Sequence, residues 1–275
     1  MENVKNLLSV TIPAQMLKEA IEKVKGKPVK GSGRTSEQDL VNEYNSQRGD
    51  LTGYQCAACR NRGNYAVLVD GVMTMQLCKC IEVRKSIRLI KEAGINPAYT
   101  LKNFKVSSDW QRSILATANR FLLSPDCWFF AGGQVGSGKS HICTGIVREL
   151  LQQGIPARYM LWRDAAVKIK AVVGKHEEYA ALVDPLKTID VLYIDDFLKS
   201  NSDPTPADFN IAFEIINARY NRKLVTIISS EYFLDEITEM DEAVGSRIYE
   251  RSAGCLVNIG RDSRRNYRLR EVQRI

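Results

Sequence analysis

Three sets of residues in this 275-residue chain have types and spacings that chemistry can use. The first is Gly133-x-x-x-x-Gly138-Lys139-Ser140, inside "FFAGGQVGSGKSHICTG". Glycines 133, 136 and 138 let backbone N–H groups turn inward around phosphate oxygens, and Ser137 belongs to the same loop. A strand before the loop and a helix opening at the lysine are what the mechanism demands, because the helix adds its positive end to the site. Lys139 is placed to reach the β- and γ-phosphates of a nucleotide and Ser140 to ligate Mg²⁺. His141 occupies the first helical turn and is grouped with the nucleotide-contacting residues.

The second set is "VLYIDDF", residues 191–197, which delivers two carboxylates at the end of a buried strand, where open α/β sheets place their ligands. Asp195 is expected to hold Mg²⁺, directly or through water. Asp196 is expected to orient and polarise an attacking water, since phosphoryl transfer needs positioning more than covalent chemistry. The two sets together predict ATP and ADP binding with hydrolysis. Many ATPases carry Glu in the second place; Asp is one methylene shorter, so hydrolysis by the isolated protein should be slow.

The third set is Cys56-x-x-Cys59 and Cys78-x-Cys80, separated by eighteen residues. The insert reads as a hairpin, with "YAVLV" and "VMTMQL" as strands and Asp70-Gly71 as the turn. Folding it back brings the pairs together, and four thiolates at such spacing suit tetrahedral Zn²⁺. Two disulfides are disfavoured in a reducing cytosol, and Cys56-x-x-Cys59 does not sit at the strand-to-helix junction of a redox pair. Cys127, Cys143 and Cys255 lie among apolar neighbours and read as reduced core residues.

The elements that must position these residues are legible as period changes. Residues 13–25 form one apolar stripe (Met16, Leu17, Ala20, Ile21, Val24) behind Pro13 and before Gly26, a helix with a packing or partner face. Residues 26–33 read as a flexible break, and Ser36 with Asp39 can open a second helix. A connecting helix spans 83–94. Strands at 127–131, 157–161, 190–194, 224–230 and 255–259 alternate with helices at 139–153, 163–173, 206–222 and 240–252. That alternation predicts an α/β fold with a parallel sheet covered by helices on both faces. The expected organisation is a helical N-terminal element over 1–50, a four-cysteine zinc module over 51–82, a linker helix over 83–98 and an ATPase domain over 99–275.

Apolar runs fall far short of the ~20 residues that span a bilayer, and "MENVKNLLSV" has no signal-peptide pattern, so a cytoplasmic protein is expected. Charge is uneven. Residues 51–100 hold seven basic and three acidic side chains, 201–250 four and ten, and 251–275 seven and two. The basic tail points to a polyanion, either nucleotide phosphate or nucleic acid. The lone His176 is expected to face solvent.

With these residues in place the chain resembles the AAA+ helicase loaders of bacteria and their phages, the DnaC/DnaI type. The resemblance covers roughly residues 80–275 and rests on "GSGKSH", "VLYIDD", "FEIINARY", "SRIYER" and "GRDSRR" in that order. A cysteine module ahead of the ATPase looks like the N-terminal domain of the DnaI branch, which contacts the replicative helicase. The resemblance implies that Arg251 is an arginine finger reaching a neighbouring subunit's γ-phosphate, with Arg247 one turn earlier in support. Both arginines could instead complement the end of their own helix. Arg265 matches a nucleotide-sensing arginine, with Arg264 competing, and Arg219-Tyr220 matches a recurring pair. The family's Ser/Thr-Asn sensor is replaced by Ser229-Ser230-Glu231, leaving Ser230 as the sensing candidate or sensing itself altered. Few residues follow Arg265, so the lidless form of the loaders is expected.

The function so implied is an ATP-dependent loader that grips a hexameric replicative helicase of the DnaB type through residues 1–82 and deposits it on single-stranded DNA. Its ATPase domains would self-associate side by side, and Lys168, Lys170 and Lys199 are candidate DNA contacts. Two other readings stay open. One is an IstB-like transposition ATPase acting on duplex DNA, a group that generally lacks a zinc module. The other is a nucleotide-binding adaptor with little turnover.

Overall fold

The computed structural model describes residues 36–92, 95–200 and 203–272. The helix expected over 13–25 and the break over 26–33 lie outside the described residues. The chain divides into two compact units between Lys85 and Ser86.

In the first unit, helix α1 (Glu37–Ser46) opens on a reciprocal cap, Ser36 Oγ accepting the Asp39 N–H and the Asp39 carboxylate accepting the Ser36 N–H. Strands β1 (Asn64–Val69) and β2 (Val72–Leu77) form the hairpin expected from the sequence, with Val69 opposite Val72. Asp70 and Gly71 both have positive φ, 52° and 77°, as a two-residue turn of the primed type requires. Val41 of α1 packs with Ala66 and Met73 of the hairpin, and the Asn45 side chain bonds both the N–H and the carbonyl of Ala66. Helix α1 therefore shares one core with the hairpin that separates the cysteine pairs. Helix α2 begins at Cys80, earlier than expected, and runs to Glu92.

The second unit contains helix α3 (Asp109–Leu123), then β3 (Phe129–Gly133), α4 (Lys139–Gln152), β4 (Ala157–Leu161), α5 (Trp162–Ala171), α6 (His176–Thr188) and β5 (Val191–Asp195). It continues with α7 (Pro206–Asn221), β6 (Val225–Ser229), α8 (Leu234–Met240), α9 (Glu242–Arg251), β7 (Leu256–Ile259) and α10 (Tyr267–Val272). The sheet order is β4-β5-β6-β3-β7, and each pairing is parallel. β3 and β5 are buried at every position, which is why their sequences are continuously apolar up to the polar residues at their C-terminal ends. The chain leaves β3 for the far edge at β4 and later crosses β3 to reach β7. The order thus reverses beside β3, where such sheets bind ligands.

Two expectations change. The helix predicted over 240–252 is α9, which opens two residues later because Asp241 is extended at φ −153° and caps it through the Val244 N–H, and the short α8 before it was not expected. Helix α6 was not expected; Pro185 near its end broke the pattern that would have shown it. His176, its first residue, is exposed, as expected.

Candidate nucleotide site and cysteine cluster

The glycine loop joins β3 to α4 with φ of 101° at Gly133, 69° at Gly136 and 95° at Gly138, values that side-chain-bearing residues rarely adopt. A Cβ at Gly133 would also stand 2.3 Å from the Ile259 carbonyl oxygen. The Gly138 carbonyl accepts the Ile142 N–H at the start of α4, and the buried Ser137 hydroxyl donates to the Gln134 carbonyl at 2.8 Å. Lys139 Nζ donates to the Gly133 and Gln134 carbonyls at 2.7 and 2.8 Å. Burial holds its pKa below the ordinary lysine value, with Glu231 and Asp196 partly offsetting that.

At the end of β5, three hydroxyls converge on Asp195. Ser140 donates to Oδ1 at 2.9 Å, Tyr159 donates to Oδ2 at 3.1 Å, and Ser229 donates to Oδ1. Burial, with Asp195 beside it, pushes the Tyr159 phenol up, so it remains a donor. A carboxylate and a hydroxyl in contact, one from β5 and one from α4, form an oxygen-only donor set of the kind Mg²⁺ takes alongside water and phosphate. Asp196 follows in a left-handed conformation, φ 52°, its N–H donating to Ser229 Oγ at 3.2 Å and its Oδ2 accepting from Lys199 at 3.1 Å.

Around the loop lies a cavity of about 330 Å³ lined by Gly136 to His141, Asp196, Lys199 and Glu231. His141 forms one wall: its ring stacks on Tyr99 at 4.6 Å, meets Phe104 edge-on at 5.4 Å, and bonds the Thr100 carbonyl. Tyr99 and Phe104 were not found by sequence reasoning, since nothing local marks two aromatics preceding the fold's first strand as facing its loop. Tyr267 and Arg268 line the cavity as well, with the Tyr267 N–H bonded to the Gly136 carbonyl.

Other expected site residues are placed elsewhere. Ser230, the sensing candidate, is fully buried and donates its hydroxyl to the Phe197 carbonyl at 2.9 Å, so it does not face the cavity. Arg265 donates to the Gly260 carbonyl and lies over Trp110, and Arg264 pairs with Asp262; among the described residues the tail arginine that lines the cavity is Arg268. Arg247 bonds Asn217 and the Ala243 carbonyl of its own helix and lies over Phe213 and Tyr220, while Arg251 bonds the Asp126 carbonyl. Neither lines the cavity of its own chain. Among the candidate DNA contacts, Lys168 is exposed, Lys170 pairs with Asp208 at 2.8 Å, and Lys199 belongs to the cavity.

In the first unit the sulfurs of Cys56, Cys59, Cys78 and Cys80 all lie within 4.8 Å of one another. Cys56–Cys78 and Cys59–Cys80 are 3.7 and 3.5 Å apart, far longer than a disulfide. Tetrahedral Zn–S bonds of roughly 2.3 Å place sulfurs about 3.8 Å apart, so the cluster fits such an ion. The Gly63 N–H donates to Cys59 Sγ at 3.3 Å, an outer contact that favours thiolate.

No family profile matches the chain. It is 29% identical over 241 residues to the phage-like element PBSX protein XkdC of Bacillus subtilis strain 168, covering 82% of this chain and 90% of that protein. To the replicative helicase loader DnaC of Escherichia coli strain K12 it is 25% identical over 177 residues, 61% of this chain and 69% of that one. An insertion sequence ATP-binding protein of Sinorhizobium fredii is 25% identical over 156 residues, 54% of this chain and 51% of that protein. Among solved structures, the AMPPCP-bound DnaA from Aquifex aeolicus superposes with a TM-score of 0.51 at 23% identity, over 65% of this chain and 55% of that one. This is an AAA+ P-loop fold, with DnaC helicase loaders among the chain's homologues. The crystal structure of the DnaC helicase loader shares it at a TM-score of 0.51 and 20% identity, over 60% of this chain and 99% of that one. The AAA+ strand order explains why the loop after β3 and the carboxylates after β5 meet across β6. In the described residues no helix is long and apolar enough to cross a membrane.

Proposed function

We propose that this protein is an ATP-switched loader that engages a hexameric replicative helicase and deposits it on single-stranded DNA. The observation that supports this reading is homology to DnaC over 61% of the chain, joined to a nucleotide cavity that holds Lys139, Ser140 and Asp196, with Asp195 hydrogen-bonded to Ser140. ATP would lie along the glycine loop, Ser140 and Asp195 would hold Mg²⁺, and Asp196 would position the attacking water. Hydrolysis by the isolated chain is slow, because Asp196 is one methylene shorter than the glutamate that many ATPases carry there. Arg251, with Arg247, completes the site of an adjacent copy, consistent with both lying outside their own chain's cavity.

Residues 1–82 form the helicase-binding part, with the four cysteines on structural Zn²⁺. A core as small as that of Val41, Ala66 and Met73 needs such a staple. Protein purified without chelator is expected to carry about one zinc per chain. Stripping the metal is expected to expose the amides of β1 and β2 to rapid exchange while those of β3 and β5 stay protected. Metal analysis finding well under one equivalent overturns the assignment.

Co-elution of the chain with candidate helicases, in ATP and in ADP and with or without residues 1–82, tests the function. A complex that requires the N-terminal region and changes with the nucleotide is expected. The similarity to an insertion sequence ATP-binding protein favours one second reading, transposition on duplex DNA. Helicase-independent, ATP-dependent assembly on duplex DNA would replace the loader with it.

A further inference from the structure

The turn after β5 carries a lysine into the cavity around the glycine loop, through two residues in strained backbone. Asp196 and Leu198 have φ of 52° and 62°, a region that side-chain-bearing residues seldom adopt and that survives only where the surroundings impose it. The end of β6 imposes it here. The Phe197 N–H donates to the Ser229 carbonyl at 2.8 Å, and the Ser230 hydroxyl donates to the Phe197 carbonyl at 2.9 Å. Lys199 Nζ is thereby set 2.6 Å from Glu231 Oε1 and 3.1 Å from Asp196 Oδ2, and all three side chains line the cavity with Gly136, Lys139 and Ser140. Burial works against the charge of Lys199, but Glu231 and Asp196 outweigh it and its pKa is raised.

Stability is a poor reason for this arrangement. Lys199 and Glu231 are 36% and 31% exposed, and an ion pair so open to water adds little to stability. The chemistry of the surrounding loops supplies a better one. The cavity wall opposite the glycine loop is made by residues that follow β5 and β6, and a phosphate there is held by donors. Ser229 donates to Asp195, Ser230 donates to Phe197, and ionised Glu231 only accepts. Of the described residues from these two loops that line the cavity, Lys199 is the one that can donate.

We propose that Lys199, positioned by Glu231, is the group that reads the γ-phosphate, and that its pairing with Asp196 links that reading to hydrolysis. A third phosphate draws the ammonium toward itself and releases the Asp196 carboxylate to orient water. With a diphosphate, Lys199 stays on Asp196. The proposal rests on the reading of this cavity as an ATP site.

Calorimetric titration of the full chain with Mg²⁺ and either ADP or an ATP analogue carrying a methylene between its β- and γ-phosphorus tests it. Lys199→Ala is expected to weaken the analogue about tenfold, the loss of one charge-assisted hydrogen bond, while ADP changes less than about twofold. Lys199→Arg should recover part of the loss. Glu231→Gln should show a smaller loss of the same kind and add little to Lys199→Ala when combined with it, as coupled groups do. Retained ADP binding certifies the fold of each variant, and Lys199→Gln replaces the alanine variant if that one does not fold. An unchanged preference for the analogue, or equal losses for both nucleotides, overturns the proposal. If the unmodified chain binds neither nucleotide, the ATP reading itself fails, and the proposal with it.

Discussion

Lys139→Ala is expected to weaken ATP binding by roughly a hundredfold, because in the proposed site the ammonium would make charge-assisted bonds to two phosphates, and two such bonds are worth about 3 kcal/mol together. The structure holds the ammonium ready, bonded to the Gly133 and Gln134 carbonyls at the base of the loop. Its burial sharpens the effect, since a half-desolvated cation gains more from an anion than an exposed one does. The readout is ligand-induced stabilisation. At a nucleotide concentration of about 100 times Kd, the native protein gains about 2.7 kcal/mol, whereas a variant bound a hundredfold more weakly gains about 0.4 kcal/mol. In a domain of this size that is a rise in Tm of about 5–10 °C against about 1 °C. Equal thermal shifts in the two proteins would place the nucleotide somewhere other than this loop.

Arg219→Ala is expected to cost about 4 kcal/mol of stability, within the range for breaking a buried charged network. Arg219 is fully buried, and burial pulls its pKa down to about 9, so it is charged at neutral pH. Its guanidinium donates to Thr226 Oγ1 at 2.9 Å and to the carbonyls of Leu186, Ile189, Asp190 and Val225 at 2.8, 2.9, 3.4 and 2.5 Å. From α7 it therefore ties the end of α6, the approach to β5 and the start of β6. Alanine removes the donor that these carbonyls share and leaves a hollow beside β5. Lysine restores one charge but not the planar fork, so Arg219→Lys should recover less than half of the loss. Urea unfolding should show the midpoint falling with little change in slope, and nucleotide affinity of the folded fraction unchanged. A loss below about 1 kcal/mol would mean that water replaces the guanidinium at these carbonyls, and would return the Arg219-Tyr220 pair to a functional role.

These two residues mark different depths of legibility. Lys139 could be read directly, because a phosphate loop is a local object: glycines at fixed offsets set the backbone, and the residues after them must begin a helix. The Asp70-Gly71 turn and the Ser36–Asp39 cap were legible for the same reason, each being complete within four residues. Paired cysteines could be read because the hairpin between them fixes where they meet. Arg219 could be named from a resemblance, but its task could not, since its partners lie on three other segments.

The same limit explains the sensing side of the site. Ser230 sits at a plausible position in sequence, yet whether its hydroxyl faces phosphate or backbone depends on the Phe197 carbonyl, thirty-three residues away. Lys199 looked like a surface cation because nothing near it announces that Asp196 and Leu198 will take left-handed backbone. Arg265 and Arg268 are separated by less than one helical turn, and only the docking of Tyr267 on Gly136 decides that Arg268 lines the cavity. Sequence by itself determined the phosphate loop, the carboxylates, the cysteine set and the alternation that builds a parallel sheet, because periodicity and local backbone chemistry are carried by neighbours in the chain. Which donors face the cavity around that loop was decided by tertiary structure alone, because each depends on a hydrogen-bond partner brought in by strand order.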